Sequence, residues 1–330
     1  MKTVSDLLER LRTLHLRTQE TPLFNPVFQL SHDISRALES GELNLDAIEG
    51  LIAEAECDAL HSRADRLRRL VAPVKPETNL ACLDALVGET FEECQARWNH
   101  PQLHAVFTAH PTFLLPPDQA AAIARDASKE GAEDDAACLA SAKRPHITLA
   151  LEHDQALAAI SRASSARDRM VAHLLERASA RWPERWRALA PLPFRFASWV
   201  GYDMDGRTDI KWHVSIGFRL AEKAERLGRY VEALRELDPA HPLLEELSAA
   251  HQWSLDRAAD FAGDLSTPEA LSAAANLLTQ DHPAKLLSLA PLITALEDEA
   301  QLASVQHAIA IKTLAAAMRA DGLGTGWIHF

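Results

Sequence analysis

Cysteine, glycine and tyrosine are scarce in this chain, which has 4, 12 and 2 of them among 330 residues. Cys57, Cys82, Cys94 and Cys138 stand far apart with no Cys-x-x-Cys spacing, so they read as reduced, mostly buried thiols rather than a disulfide framework or zinc site. No stretch approaches the roughly 18 uninterrupted apolar residues of a membrane span, and the residues from Met1 to Asp6 lack the apolar run of a secretory signal. The expected location is therefore the cytoplasm, with no membrane partner. Basic residues are also few: Lys and Arg number 34 against 47 Asp and Glu, a formal charge of −13. That balance argues against nucleic acid, because phosphate contacts need clustered cations that release counterions. It also means that any anionic ligand must be met by cations concentrated locally against the overall field.

What the chain does have is 47% hydrophobic content with apolar residues at helical spacing, which predicts a mainly α protein. Residues 4 to 16 read as a short amphipathic helix, and Asn25-Pro26 opens another that runs to about Leu38. From Leu45 to Val71, Ile48, Leu51, Ile52, Ala55, Leu60, Ala64, Leu67 and Val71 form one apolar stripe, which Pro73 and Pro76 stop. Helical spacing returns from His146 to about Arg181 and from about Lys211 to Leu237, and Ser266-Thr267-Pro268-Glu269 has a capping-box arrangement. Residues 126–143 read as an exposed loop or flexible insertion, and Pro191 to Phe196 as an extended segment leading toward Ser198. A last helix runs through Ala320, after which Trp327-Ile328-His329-Phe330 reads as the opening of a buried strand. A chain that stops there would leave ladder groups unpaired, so the sequence is expected to be the N-terminal part of a longer protein.

Two islands carry chemistry. The first is Thr108-Ala109-His110-Pro111-Thr112, preceded by Val106-Phe107, and the second is Ser198-Trp199-Val200-Gly201-Tyr202-Asp203-Met204-Asp205-Gly206. The first fixes an imidazole, which titrates near neutrality, beside a φ-locked proline. The second supplies an aromatic wall, two carboxylates and turn residues. Asp203 and Asp205 can build a turn, hold a metal or orient basic groups. A calcium loop is disfavoured, since its twelfth position counted from Asp203 is Val214 rather than a bidentate Glu. Turn-building and support is the better reading.

Both islands resemble the signatures of phosphoenolpyruvate carboxylase, Thr-Ala-His-Pro-Thr and Ser-Trp-x-Gly-Gly-Asp-x-Asp-Gly-Asn. The resemblance implies the N-terminal helical part of an α/β-barrel enzyme, residues 1–330 forming one region with the barrel incomplete. It implies carboxylation of phosphoenolpyruvate by bicarbonate to oxaloacetate and phosphate in a homo-oligomer, with Mg²⁺ or Mn²⁺ held by ligands outside this chain. His110 is then catalytic, Trp199 and Arg207 bind substrate, and Thr108, Pro111, Thr112, Gly201, Asp203, Asp205 and Gly206 support them. Departures are also plain: Phe113-Leu114-Leu115-Pro116-Pro117 stands where the family has an acidic or amide residue and then basic ones, Tyr202 replaces a glycine, and Met204 replaces an arginine. Arg207 restores one charge at a shifted position. These losses leave a second expectation, a non-catalytic helical regulatory or interaction protein derived from that scaffold. A third is a metal-dependent hydrolase using His110 with Asp203 and Asp205. His146 and His153, seven apart, read as surface residues with no third ligand.

Overall fold

The computed structural model describes residues 3–21, 23–71, 75–108, 115–128, 147–205 and 207–322. Among them are twelve α-helices and two strands, so the mainly α expectation holds. The region read as one from the sequence comprises two compact units, Met1–Lys75 with Leu115–His146, and Pro76–Leu114 with Ile147–Phe330.

The first unit holds α1 (Val4–Glu20), α2 (Pro26–Glu39), α3 (Leu45–Val71) and α6 (Pro117–Ser128). Asn25 caps α2, its side chain accepting the Phe28 N–H, and Thr3 closes a reciprocal capping box on α1 with Asp6. The stripe of α3 is narrower than its sequence suggests: Leu51, Leu60 and Ala64 are buried, but Ile52 is 60% exposed and Ala55 faces water. Leu60 and Ala64 meet Ala122 and Ile123 of α6. The expected loop from residue 126 is corrected at its start. Asp126 and Ala127 are buried in the last turn of α6, where the Arg68 guanidinium donates to the Asp126 carbonyl at 2.8 Å. Residues 129–143 of that segment lie outside the described residues, as do 327–330.

The second unit contains α4 (Pro76–Asp84), α5 (Phe91–Trp98), β1 (Leu103–Phe107), α7 (Leu149–Arg181), β2 (Phe194–Ser198), α8 (Trp212–Leu237), α9 (Leu243–Ala262), α10 (Pro268–Thr279), α11 (Ala290–Leu302) and α12 (Val305–Asp321). Its core runs through Leu174, Leu175, Trp186, Leu227, Leu234, Leu247, Leu296 and Ile311, each at most 1% exposed. The helix beginning at Pro268 is capped by Thr267, whose side chain accepts the Ala270 N–H. Ser266 is therefore not the cap, and the expected Ser-to-Glu box does not form. Among the cysteines, Cys94 is buried, with its thiol pushed up to about 11 by desolvation, whereas Cys82 is exposed against expectation. Residues of β1 and β2 pair in parallel, from Leu103 with Phe194 to Phe107 with Ser198. Parallel strands need a long crossover, and α7 lies within the connection between them and packs on both. No described helix is long and apolar enough to cross a membrane.

Candidate functional site

Both islands begin where a strand ends. Thr108 follows the last residue of β1 and Trp199 follows the last residue of β2, and those two last residues, Phe107 and Ser198, are register partners. Ser198 fastens the ends together: its hydroxyl donates to the Phe107 carbonyl at 2.8 Å and accepts the Val200 N–H at 3.1 Å. Chain leaving the C-terminal ends of adjacent parallel strands diverges and opens a crevice, the usual position of ligands in parallel α/β structures.

Beyond Ser198 the backbone turns sharply. The Tyr202 N–H returns to the Trp199 carbonyl at 2.9 Å, and Gly201 sits at φ 87°, a left-handed conformation that glycine alone adopts cheaply. A Cβ at Gly201 would lie 2.2 Å from the Phe218 ring, so a side chain is excluded by space as well as by dihedral. Ser215, in the first turn of α8, donates to the Gly201 carbonyl at 2.6 Å. Farther on, the Asp203 carboxylate accepts the Asp205 N–H at 3.1 Å, closing an Asx turn. At least one of its expected duties is thus turn-building.

A buried wall supports this turn. Tyr202 donates to the Glu222 carboxylate at 2.7 Å, and His153 meets the same oxygen at 3.3 Å while its ring stacks on Phe218 at 3.9 Å. His153 is only 3% exposed, which overturns its surface reading, while His146 lies outside the described residues. Burial alone would raise the Glu222 pKa, but hydrogen bonds from His153 and Tyr202 and the Arg226 charge together hold it below the usual range. Burial first, and then the Glu222 charge, drives the Tyr202 phenol upward, so this pair is a carboxylate with a neutral phenol.

The crevice has a volume of about 170 Å³. Thr108, Trp199, Gly201, Asp203, Asp205 and Arg207 all line it, so six of the ten residues nominated from sequence converge. The other four, His110, Pro111, Thr112 and Gly206, lie outside the described residues. Trp199 lines the crevice and is 44% exposed. Leu149 and Glu152, near the start of α7, and Ile210 complete much of the lining and were not singled out from sequence. A signal for Glu152 and His153 existed, because both fall on the otherwise apolar row of α7 that continues through Ala156 and Ile160.

Arg207 is held on two sides. Its Nε and Nη2 donate to the two oxygens of Asp209 at 2.8 and 2.7 Å, and its Nη1 donates to Glu152 at 3.2 Å. The Asp209 bond first, and then Glu152, raises the guanidinium pKa further, while Asp209 itself is lowered by Arg207. Among the described residues, no group of three or more His, Cys, Asp or Glu is arranged to hold a metal ion. An open groove of about 780 Å³ lies elsewhere in this unit, floored by Ala172, Ala233, Ile309 and Leu314. It is larger than the crevice but contains none of the nominated residues, and volume alone is a poorer guide than convergent polar groups. No family model, curated protein or solved structure matches the chain.

Proposed function

We propose that the crevice is part of a carboxylation site of the phosphoenolpyruvate carboxylase type, on the N-terminal portion of a barrel begun by β1 and β2. The observation that supports this reading is that Thr108, where the first island begins, lines one small cavity with Trp199, Gly201, Asp203 and Asp205 of the second, just past the C-terminal ends of two register-paired parallel strands. In that chemistry a bicarbonate oxygen attacks the phosphorus of phosphoenolpyruvate, and the enolate of pyruvate departs. The resulting carboxyphosphate splits to CO2 and phosphate, and the enolate methylene carbon attacks CO2 to give oxaloacetate. Trp199 is assigned the wall against which CO2 and the enolate are held, although at 44% exposure it does not by itself exclude water. His110, two residues beyond Thr108 in the chain, is assigned the proton handling on the carboxylating species. The described residues do not fit the divalent cation of this chemistry.

One observation favours a second reading, the non-catalytic scaffold: the Arg207 guanidinium is already engaged by Asp209 and Glu152. Oxaloacetate formation by the complete gene product, monitored through its reduction, separates the two. On the carboxylase reading, turnover is measurable and His110→Asn lowers it by about 10²- to 10⁴-fold with little change in thermal midpoint. Absence of turnover at saturating phosphoenolpyruvate, bicarbonate and Mg²⁺ would leave the scaffold reading standing.

A further inference from the structure

Among the described tryptophans, Trp98, Trp186 and Trp253 are buried and Trp182 is half-buried, whereas Trp199 and Trp212 are 44% and 50% exposed. Both exposed ones stand at the crevice. Trp199 lines it, and Trp212 follows the lining residue Ile210 by two positions, in the first turn of α8 that Ser215 ties to the Gly201 carbonyl. Met204, 58% exposed, lies between the lining residues Asp203 and Asp205. Single apolar residues in water are ordinary, but two Trp and a Met around one opening have the composition of a protein interface. The cavity inside this rim is acidic. Glu152, Asp203 and Asp205 line it against one guanidinium, Arg207, which Asp209 and Glu152 already engage. Asp203 and Asp205 are exposed, and accepting the Asp205 N–H uses only part of the acceptor capacity of Asp203.

We propose that this rim is a docking surface for a protein segment that presents an arginine between apolar residues. The guanidinium enters the crevice toward Asp203 and Asp205 and stacks on Trp199, while the flanking apolar groups cover Met204 and Trp212. Charge complementarity selects a cation, because the lining carboxylates outnumber the one guanidinium among them. Arginine is preferred to lysine, since a planar guanidinium both stacks on an indole and forks onto a carboxylate. Size agrees. At about 170 Å³ the cavity is smaller than the roughly 300 Å³ at which small-molecule pockets begin, and it suits the head of one long side chain. The apolar rim selects a protein segment over a free amine, which would leave Trp212 and Met204 in water. Such docking requires no turnover and stands apart from the carboxylation reading.

The capped tripeptide Leu-Arg-Leu, titrated into the ¹⁵N-labelled chain with Leu-Lys-Leu, Leu-Gln-Leu and Leu-Glu-Leu in parallel, tests this by NMR. The indole N–H signals of Trp199 and Trp212, assigned by Trp→Phe replacement, are expected to shift together on Leu-Arg-Leu, less on Leu-Lys-Leu, and not on Leu-Glu-Leu. Asp203→Asn combined with Asp205→Asn is expected to weaken Leu-Arg-Leu by about three- to tenfold, and Trp199→Ala by about tenfold. An asparagine at position 203 can still accept the backbone N–H that closes the turn, so the double variant removes charge and keeps shape. Unchanged thermal midpoints are the check on that. An equal response to Leu-Gln-Leu, or an affinity for Leu-Arg-Leu that the double variant leaves intact, overturns the proposal. Indole shifts that grow with protein concentration in the absence of peptide would assign the rim to a second copy of this chain and overturn the choice of occupant.

Discussion

Gly201 concentrates two constraints that no other residue type meets. Its φ of 87° costs an L-residue about 1–2 kcal/mol, and a Cβ there would run into the Phe218 ring that stacks on His153. Gly201→Ala is therefore expected to destabilise the protein by about 2–4 kcal/mol, combining strain with overpacking. Gly88→Ala is a useful comparison, since Gly88 has a similar φ of 93° in the same unit but its added Cβ would come no closer than 3.3 Å to a neighbour. Urea unfolding of the two variants should give the larger loss at Gly201, and equal losses would mean that the Phe218 contact is not what fixes the turn. Tyr202 has the opposite logic, because it adds a donor that Glu222 needs. Tyr202→Phe leaves that buried carboxylate short of a 2.7 Å hydrogen bond and should cost about 1–3 kcal/mol in the same measurement. The sequence made the island visible through its residue types but not this wall, since Glu222 and His153 approach Tyr202 only in the folded chain, from α8 and α7.

At the scale of elements, several helices were legible, and of the strands only the extended segment from Pro191 to Phe196, which overlaps β2, was read. The limits of α3, the Asn25 cap and the end of α8 at Leu237 reflect apolar period and capping chemistry, which act within a few residues. Both strands are five residues long, too short for a period-two pattern to stand out, and their pairing joins positions about ninety residues apart. The extended approach to the second island was therefore visible in sequence, but β1 and its pairing with β2 were not. Capping also bears on the site, because Thr148 accepts the Leu151 N–H and so fixes the turn that carries Leu149 and Glu152. Thr148→Ala is expected to lower stability by about 1 kcal/mol, with Thr148→Ser restoring most of it. An equal loss in both variants, measured by urea midpoint, would assign the effect to the methyl group rather than to the cap.

For the molecule as a whole, acid sensitivity is set by buried carboxylates, and Asp321 at the end of α12 is the clearest. One oxygen accepts from Arg167 at 2.6 Å and the other from the Tyr230 hydroxyl at 3.1 Å, with Asp321 itself only 6% exposed. Burial pushes its pKa up, but Arg167, with smaller contributions from Arg226 and Arg229, outweighs that and holds it below its unfolded value. Asp168 on the other side of Arg167 goes the other way, because for it desolvation wins over the same guanidinium. Linkage then gives the signs. A depressed carboxylate contributes stability that is present above its unfolded pKa of about 4 and is lost as pH falls through the folded value. A raised one, such as Asp168, costs stability above its folded pKa and is relieved as it protonates, so it softens the acid limb rather than steepening it. Asp321→Asn should accordingly cost about 1–3 kcal/mol at neutral pH, since it removes one of the two carboxylates that hold the buried Arg167 and leaves Asp168 as the other. Below about pH 4 the Asp321 carboxyl of the unfolded chain takes up its proton while the folded one still resists it, so the gap between wild type and variant should narrow steadily as pH falls toward the lower folded value. Urea unfolding at intervals from pH 7 to pH 3 reads that gap directly. A difference that stays constant across the range would mean that Asp321 stabilises the core by packing and hydrogen-bond shape, with its charge contributing nothing.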